Sequence, residues 1–120
     1  MGQRVTVDRA NTVLYCEKWV ETTAFYRTAL GLDVEFENDW FVEFRVSGDA
    51  YISVADAARA TIESARGRGV TLTLRTPDVH AAHALLVDRG VDVSAMKRRF
   101  GAEVFYCRDP EGHRLEFWSP

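Results

Sequence analysis

Few residues in this chain stand in spacings that could do chemistry. His80 and His83 lie three apart in a run with helical character, so they share one face. An i,i+3 pair of imidazoles can bind a metal in principle. No carboxylate or third histidine stands at matching spacing, so the pair reads as a surface feature. Cys16 and Cys107 both sit inside apolar runs, and neither has a Cys-x-x-Cys partner or a zinc-type spacing. They read as free, buried thiols. Lys97-Arg98-Arg99 is the densest cationic cluster. Three adjacent cations read as a solvated loop, because a nucleic-acid footprint needs a wider basic face. There is no Gly-x-Ser-x-Gly, no phosphate-binding glycine-rich loop and no nucleophile with an obvious histidine base.

The elements that must position any site follow a repeated order. A strand rich in β-branched and aromatic residues is predicted over 11–17, then a helix over Val20 to Leu30 with Gly31 as its stop. Strands follow at Leu32 to Glu37, Phe41 to Val46 and Tyr51 to Ala55, broken at Asn38-Asp39 and Ser47-Gly48-Asp49. Residues 56 to 69 form a bridge with a short helical turn and a flexible Arg66-Gly-Arg-Gly69. The order then recurs. A clean alternation spans Val70 to Thr76, and Pro77-Asp78 open a helix through Arg89 that Gly90 stops. Strands follow at Val91 to Ser94, Ala102 to Cys107 and His113 to Trp118, with a tight turn at Asp109-Pro-Glu-Gly112. The predicted fold is therefore α+β, with two βαβββ modules at about 10–56 and 69–119 in one domain, 1–120. At this length the modules cannot have separate cores and must share a surface with each other or with a second chain.

Composition sets outer limits. The 120 residues are 47% hydrophobic and 28% charged, with 15 Lys+Arg against 18 Asp+Glu and a formal net charge of -3. That balance argues against a nucleic-acid partner. No apolar run is long enough to span a bilayer, and the first residues lack the apolar core of a signal peptide. A cytoplasmic protein with no membrane partner is the expectation.

Two segments resemble a known family. Leu14-Tyr-Cys-Glu-Lys-Trp-Val-Glu-Thr-Thr-Ala-Phe-Tyr-Arg-Thr-Ala-Leu-Gly-Leu32 resembles the opening of the vicinal-oxygen-chelate superfamily, most strongly over residues 25 to 32. Phe105-Tyr-Cys-Arg-Asp-Pro-Glu-Gly-His-Arg-Leu-Glu-Phe117 resembles its closing hairpin. That superfamily includes glyoxalase I, extradiol dioxygenases, fosfomycin-resistance enzymes and bleomycin-resistance proteins. The resemblance covers nearly the whole chain; it points to a fold and a pocket position, and a reaction must be argued from the site.

The resemblance implies a cup of strands with the helices packed outside. Strand alternation then sends Leu14, Cys16, Val70, Leu72, Leu74, Leu115 and Phe117 to the helices. Asn11, Val13, Tyr15, Phe41, Glu43, Tyr51, Ser53, Thr71, Thr73, Arg75, Val104, Tyr106, Arg114, Glu116 and Trp118 are left facing the cup. This mixture of aromatic surface and a few polar groups suits a small-molecule site, with aromatic faces for planar ligands. Arg75, Arg114, Glu43 and Glu116 are expected to orient polar ligand groups or to pair with one another. Tyr106 or Glu116 could act as an acid or base.

Members of the superfamily usually hold a divalent metal as a Lewis acid. The resemblance places Asn11, Thr71 and Glu116 at the three ligand positions. Only Glu116 is a good donor; Asn and Thr oxygens are weak neutral ones. The expectation is accordingly no cofactor, a protein similar to the bleomycin-resistance branch that sequesters an aromatic or antibiotic-like molecule, and a homodimer with paired pockets. The alternative is an enzyme of the same superfamily: a glyoxalase-like lyase, a dioxygenase or a thiol transferase, either metal-free or using a divalent metal on Glu116 with Asn11. A small interaction module with a closed cup is a third reading.

Overall fold

The computed structural model describes residues 2–120; Met1, the first residue of the predicted domain, lies outside them. The chain begins its first module with β1 (Ala10–Cys16) and α1 (Trp19–Ala24). The helix runs on as a π-helical turn over Phe25–Ala29, where the Leu30 amide donates to the Phe25 carbonyl five residues back at 3.1 Å. β2 (Asp33–Glu37), β3 (Phe41–Ser47) and β4 (Ala50–Asp56) complete the module, and one 3-10 turn follows at Ala57–Arg59. The second module has β5 (Thr71–Arg75), α2 (Val79–Asp88), β6 (Lys97–Arg99), β7 (Ala102–Arg108) and β8 (Arg114–Ser119).

Each module builds one four-stranded mixed sheet, in the order β1-β4-β3-β2 and β5-β8-β7-β6. The two orders are the same pattern, and in each the first strand runs parallel to the last. The sheets do not close on one another, so β1 and β5 are outer strands of their sheets.

Side-chain period decides what is buried. Leu14, Cys16, Val42, Phe44, Ile52 and Val54 turn one face of the first sheet onto Tyr26 of the helical segment. Phe105, Cys107 and Leu115 do the same beneath Val79 and Leu86 of α2. Phe105 stacks on Phe117 at 5.1 Å between ring centres and takes the edge of His83 at 4.8 Å. These residues form a single cluster across both modules, the shared core that a chain of this length requires.

Both helices begin on a carboxylate. Asp78 caps α2, its Oδ1 accepting from the Ala81 amide at 3.0 Å. α1 has no cap of its own; instead Glu111, from the turn before β8, accepts from the Glu17 and Lys18 amides at 2.8 Å each. The Ser64 hydroxyl also donates to Glu111.

The structure departs from the predicted strands in one place. The run from Val91 to Ser94 makes only an isolated bridge, Val93 to Cys107, and the edge strand lies instead at Lys97–Arg99. Ser94 Oγ takes the Tyr106 amide at 2.9 Å, where a continuing ladder would have placed a backbone carbonyl. The three cations read as a solvated loop are therefore strand residues, paired with Ala102, Glu103 and Val104.

Candidate functional site

The strand faces turned away from the helices carry the candidate site. On the first module, cross-strand partners Asn11 and Tyr51, Val13 and Ser53, and Glu43 and Ser53 bring the side chains onto one surface. Tyr15 and Phe41 both pair with Ala55 and extend it. On the second, Thr71 pairs with Arg114, Thr73 with Glu116 and Arg75 with Trp118, while Tyr106 pairs with Glu116 and Val104 with Trp118. The side chains that alternation assigns to the cup thus lie on two faces, one per module, with Tyr51, Ser53 and Val104 buried within them. The ladder shifts register at Val34/Phe36 and at Arg45/Ser47, beyond these residues, so no bulge inverts the alternation among them.

The first face is internally satisfied. Ser53 Oγ donates to Asn11 Oδ1 at 2.9 Å, Asn11 Nδ2 donates to Glu43 Oε2 at 2.9 Å, and Arg9 pairs with the other Glu43 oxygen. The Arg9 guanidinium also lies over the Tyr51 ring, 3.7 Å from its centre.

The second face is more open. Thr73 Oγ1 donates to Glu116 Oε1 at 3.1 Å, and Arg114 Nε donates to Thr71 Oγ1 at 3.0 Å. Arg114 lies over Tyr106 at 4.8 Å and Arg75 over Trp118 at 5.4 Å. Expected pairing of Glu43 or Glu116 with Arg75 or Arg114 does not occur: no such pair comes within 4.0 Å, because neighbouring hydroxyls and Arg9 satisfy the carboxylates first. Cavities of ≈ 840, ≈ 330 and ≈ 330 Å³ open on and around this face, and all of their walls come from residues 67–118. The last two walls include Trp118, Val104 and Glu116 on one side and Thr71 and Gly69 on the other.

The strand assignment adds residues that sequence reasoning missed. Lys97 and Arg99 pair with Val104 and Ala102 and so share the Tyr106 face, as does Arg108 opposite Arg114. Arg98 points the other way, to Glu103. Lys97-Arg98-Arg99 shows no polar–apolar alternation, so a three-residue strand there gives no periodic signal. Phe100, at the hairpin tip, is fully exposed and lines two of these cavities.

Within one chain, the positions that the resemblance assigns to metal ligands are not brought together. Asn11 is bonded to Ser53 and Glu43, Thr71 accepts from Arg114, and Glu116 lies on the other module's sheet from Asn11. Among the described residues, no three His, Cys, Asp or Glu side chains are grouped closely enough to hold a metal ion. The α2 histidines are separated in role: His80 pairs with Glu103, and His83 Nε2 lies 3.0 Å from the Ser94 carbonyl, half-buried against Phe105. His113 is buried with Nδ1 2.8 Å from Asp109 Oδ2. That oxygen is an acceptor, so Nδ1 carries the proton.

Asp109 is the hub of a buried polar network behind the site. Its Oδ2 also accepts from Tyr26 at 2.8 Å, and its Oδ1 accepts the amides of Glu111, Gly112 and His113 at 3.0 Å each. Burial, followed by the Asp109 charge, raises the Tyr26 phenol well above its ordinary value. Burial, then the charges of Glu111 and Asp109, pushes the Cys16 thiol up to about 12, and burial with Asp109 pushes Cys107 up to about 11. Neither cysteine is a nucleophile at neutral pH.

Comparison with known proteins places this geometry. The family described as the Glyoxalase/Bleomycin resistance protein/Dioxygenase superfamily matches residues 9–117. The chain belongs to that superfamily. Solved structures overlay nearly its full length. TnmS3, an antibiotic binding protein from Streptomyces sp. CB03234, is 21% identical with a TM-score of 0.82, over 98% of this chain and 99% of that one. A lactoylglutathione lyase from Agrobacterium tumefaciens is 19% identical with a TM-score of 0.77, over 97% and 95%. A glyoxalase/bleomycin resistance protein from Streptomyces sp. CB03234 is 22% identical with a TM-score of 0.74, over 92% and 99%. At these identities the likeness is one of fold. No protein of curated function matches the sequence. Among the described residues, no helix is long and apolar enough to cross a membrane.

Proposed function

We propose that this superfamily member binds a planar aromatic small molecule, of the antibiotic-like kind, and sequesters it without a metal and without transforming it. The observation that carries this reading is the second module's face. Tyr106 and Trp118 flank a cavity of ≈ 330 Å³ that opens beside one of ≈ 840 Å³, within the size range of small-molecule sites. Aromatic faces held by cation contacts supply stacking surface. The donor chemistry at Asn11, Thr71 and Glu116 suits hydrogen bonding to a ligand better than holding a transition metal. TnmS3, whose name describes antibiotic binding, has the same fold.

The reading includes a homodimer whose cup joins the first face of one copy to the second face of another. Three observations support it. Each sheet leaves its first strand unpaired on one side, an edge that soluble proteins usually cover. The radius of gyration is 15.3 Å, against about 13.6 Å for a compact chain of this length. Phe36 is 52% exposed beside Phe41 on the first face, and such apolar surface suits a partner.

The test is a thermal-shift screen of planar antibiotics, repeated with Trp118→Ala and Tyr106→Ala. Both residues stand at the open face, so the variants keep the melting midpoint of the free protein and lose the ligand-induced rise. An alternative enzymatic reading gains from the lactoylglutathione lyase likeness. A stoichiometric divalent metal in the purified protein, lost in Glu116→Ala, overturns sequestration in favour of that enzyme.

A further inference from the structure

The charge on the second module's face is one-sided. Lys97, Arg99, Arg108 and Arg114 all line the ≈ 840 Å³ cavity, and Asp92 is its one carboxylate. Among the described residues none of these four cations lies within 4.0 Å of a carboxylate, whereas Arg9, Arg27, Arg45, Arg59, Arg66 and Arg98 are paired, and the other cations without a carboxylate partner, such as Arg68, Arg75 and Arg89, do not line this cavity. The chain as a whole carries -3, so this is a local arrangement and not a consequence of composition. Four like charges around one concavity repel, and an anion placed among them relieves the repulsion. The first module's Glu43 and Glu35 are not free to neutralise them across a dimer cup, because Glu43 is taken by Arg9 and Glu35 by Arg45.

Arg114 is already set for such a group. Its Nε is held by Thr71 and its plane lies over Tyr106, which leaves both terminal nitrogens free of protein partners among the described residues. That is the fork that grips a carboxylate or a similar planar anion with two parallel hydrogen bonds. Phe100 completes the enclosure. It stands fully exposed at the apex of the β6–β7 hairpin with φ +51°, followed by Gly101 at φ +77°. This paired left-handed turn favours Asn-Gly, and a phenylalanine there is unfavourable both in backbone and in exposure. A contact with ligand would offset both costs.

We infer that the ligand is a planar aromatic anion, its carboxylate or equivalent acid group held by Arg114 among Lys97, Arg99 and Arg108, and its ring against Tyr106 and Phe100. The inference rests on the binding reading above and names the class of ligand for that site.

A matched set of fluorescent probes tests it on the full chain: pyrenecarboxylate, pyrenecarboxamide and pyrenemethylammonium. The carboxylate binds at least about tenfold more tightly than the carboxamide, the scale of one charge-assisted hydrogen bond, and the ammonium binds most weakly. Added salt narrows the gap. Arg114→Gln, and separately the double variant Lys97→Gln with Arg99→Gln on the exposed edge strand, bring the carboxylate down to the affinity of the carboxamide. Arg59→Gln, whose arginine pairs with Asp39 elsewhere, leaves the preference intact. Equal affinity for carboxylate and carboxamide overturns the anion inference while the aromatic-binding reading stands. A preference that survives both Arg114→Gln and the double variant also overturns it. Binding of none of the three overturns both.

Discussion

Removal of the Glu111 carboxylate should cost the protein more than any surface-charge change, because that carboxylate joins three parts of the chain. It stands in the turn before β8, accepts the Glu17 and Lys18 amides at the mouth of α1, and takes the Ser64 hydroxyl from the bridge between modules. The residue is buried, and Glu111→Ala leaves two amides at a helix entrance without an acceptor. Hydrogen bonds to a charged group are worth about 1.5–3 kcal/mol each, and taking the low end for the two amides gives about 3 kcal/mol. For a chain of this size that is a fall in midpoint of about 12 °C. Glu111→Gln keeps one acceptor oxygen and should lose about half as much. The pH dependence follows from the ionisation. Burial would raise the Glu111 carboxyl, but the hydrogen bonds from Ser64, Lys18 and Glu17 and the charge of His113 outweigh it and hold the group below its ordinary 4.5. A carboxyl lowered in the folded state contributes stability above its unfolded value, and that contribution fades as pH falls through the folded value. The gap between wild type and Glu111→Ala should therefore be full at neutral pH and narrow below about 4.5. Urea unfolding across a pH series measures it. A deficit under about 1 kcal/mol, or one that stays constant down to acid pH while both proteins remain folded, refutes the reasoning.

Two further outcomes rest on the same region. Gly67 packs on the Gly112 backbone at φ +82°, and a Cβ there would fall under 3.0 Å from the Gly112 carbonyl. Gly67→Ala should cost at least about 3 kcal/mol from overlap and left-handed strain together, read as a lower urea midpoint, while Gly48→Ala, with open space around it, costs far less. Cys16 and Cys107, with thiols pushed up to about 12 and about 11, should resist an aromatic disulfide reagent at mildly alkaline pH in the folded protein and react together on unfolding. A native thiol that titrates at once would show that its neighbourhood opens.

The duplicated order and the strand faces were legible because both rest on local periodicity. Leu14 and Cys16 alternate with Val13 and Tyr15, and Leu115 and Phe117 with Glu116 and Trp118, so which side each faces depends only on the pleat. The register shifts fall where they cannot disturb that alternation. Long-range partners were not legible. Asp109-Pro-Glu-Gly112 reads as a turn, and it is one, but nothing local reveals that Asp109 receives Tyr26 from 83 residues away or that Glu111 caps the other module's helix. Val91 to Ser94 has strand composition and still makes a single bridge, since the Ser94 hydroxyl takes an amide that the ladder would have used. Lys97-Arg98-Arg99 fails in the opposite direction: its composition is that of a loop, and pairing with Ala102–Val104 makes it a strand.

The two modules share a topology and divide the chemistry. Equivalent positions, matched by sheet register, are Asn11 and Thr71 on the first strands, Tyr51 and Arg114 on the last, and Glu43 and Tyr106 on the third. In the first module this set forms a closed chain, from Ser53 to Asn11 to Glu43 to Arg9, with Arg9 resting on Tyr51. Ser53, Asn11 and Glu43 thus find their partners within the face. In the second module the corresponding carboxylate position is an aromatic, Tyr106, and the corresponding aromatic position is a cation, Arg114. The exchange removes the internal partner that would have neutralised the arginine, and the edge strand adds Lys97 and Arg99. A fold built by repetition thus acquires a polar axis: one face is completed by its own hydrogen bonds, and the other carries Lys97, Arg99, Arg108 and Arg114 with no carboxylate within 4.0 Å among the described residues.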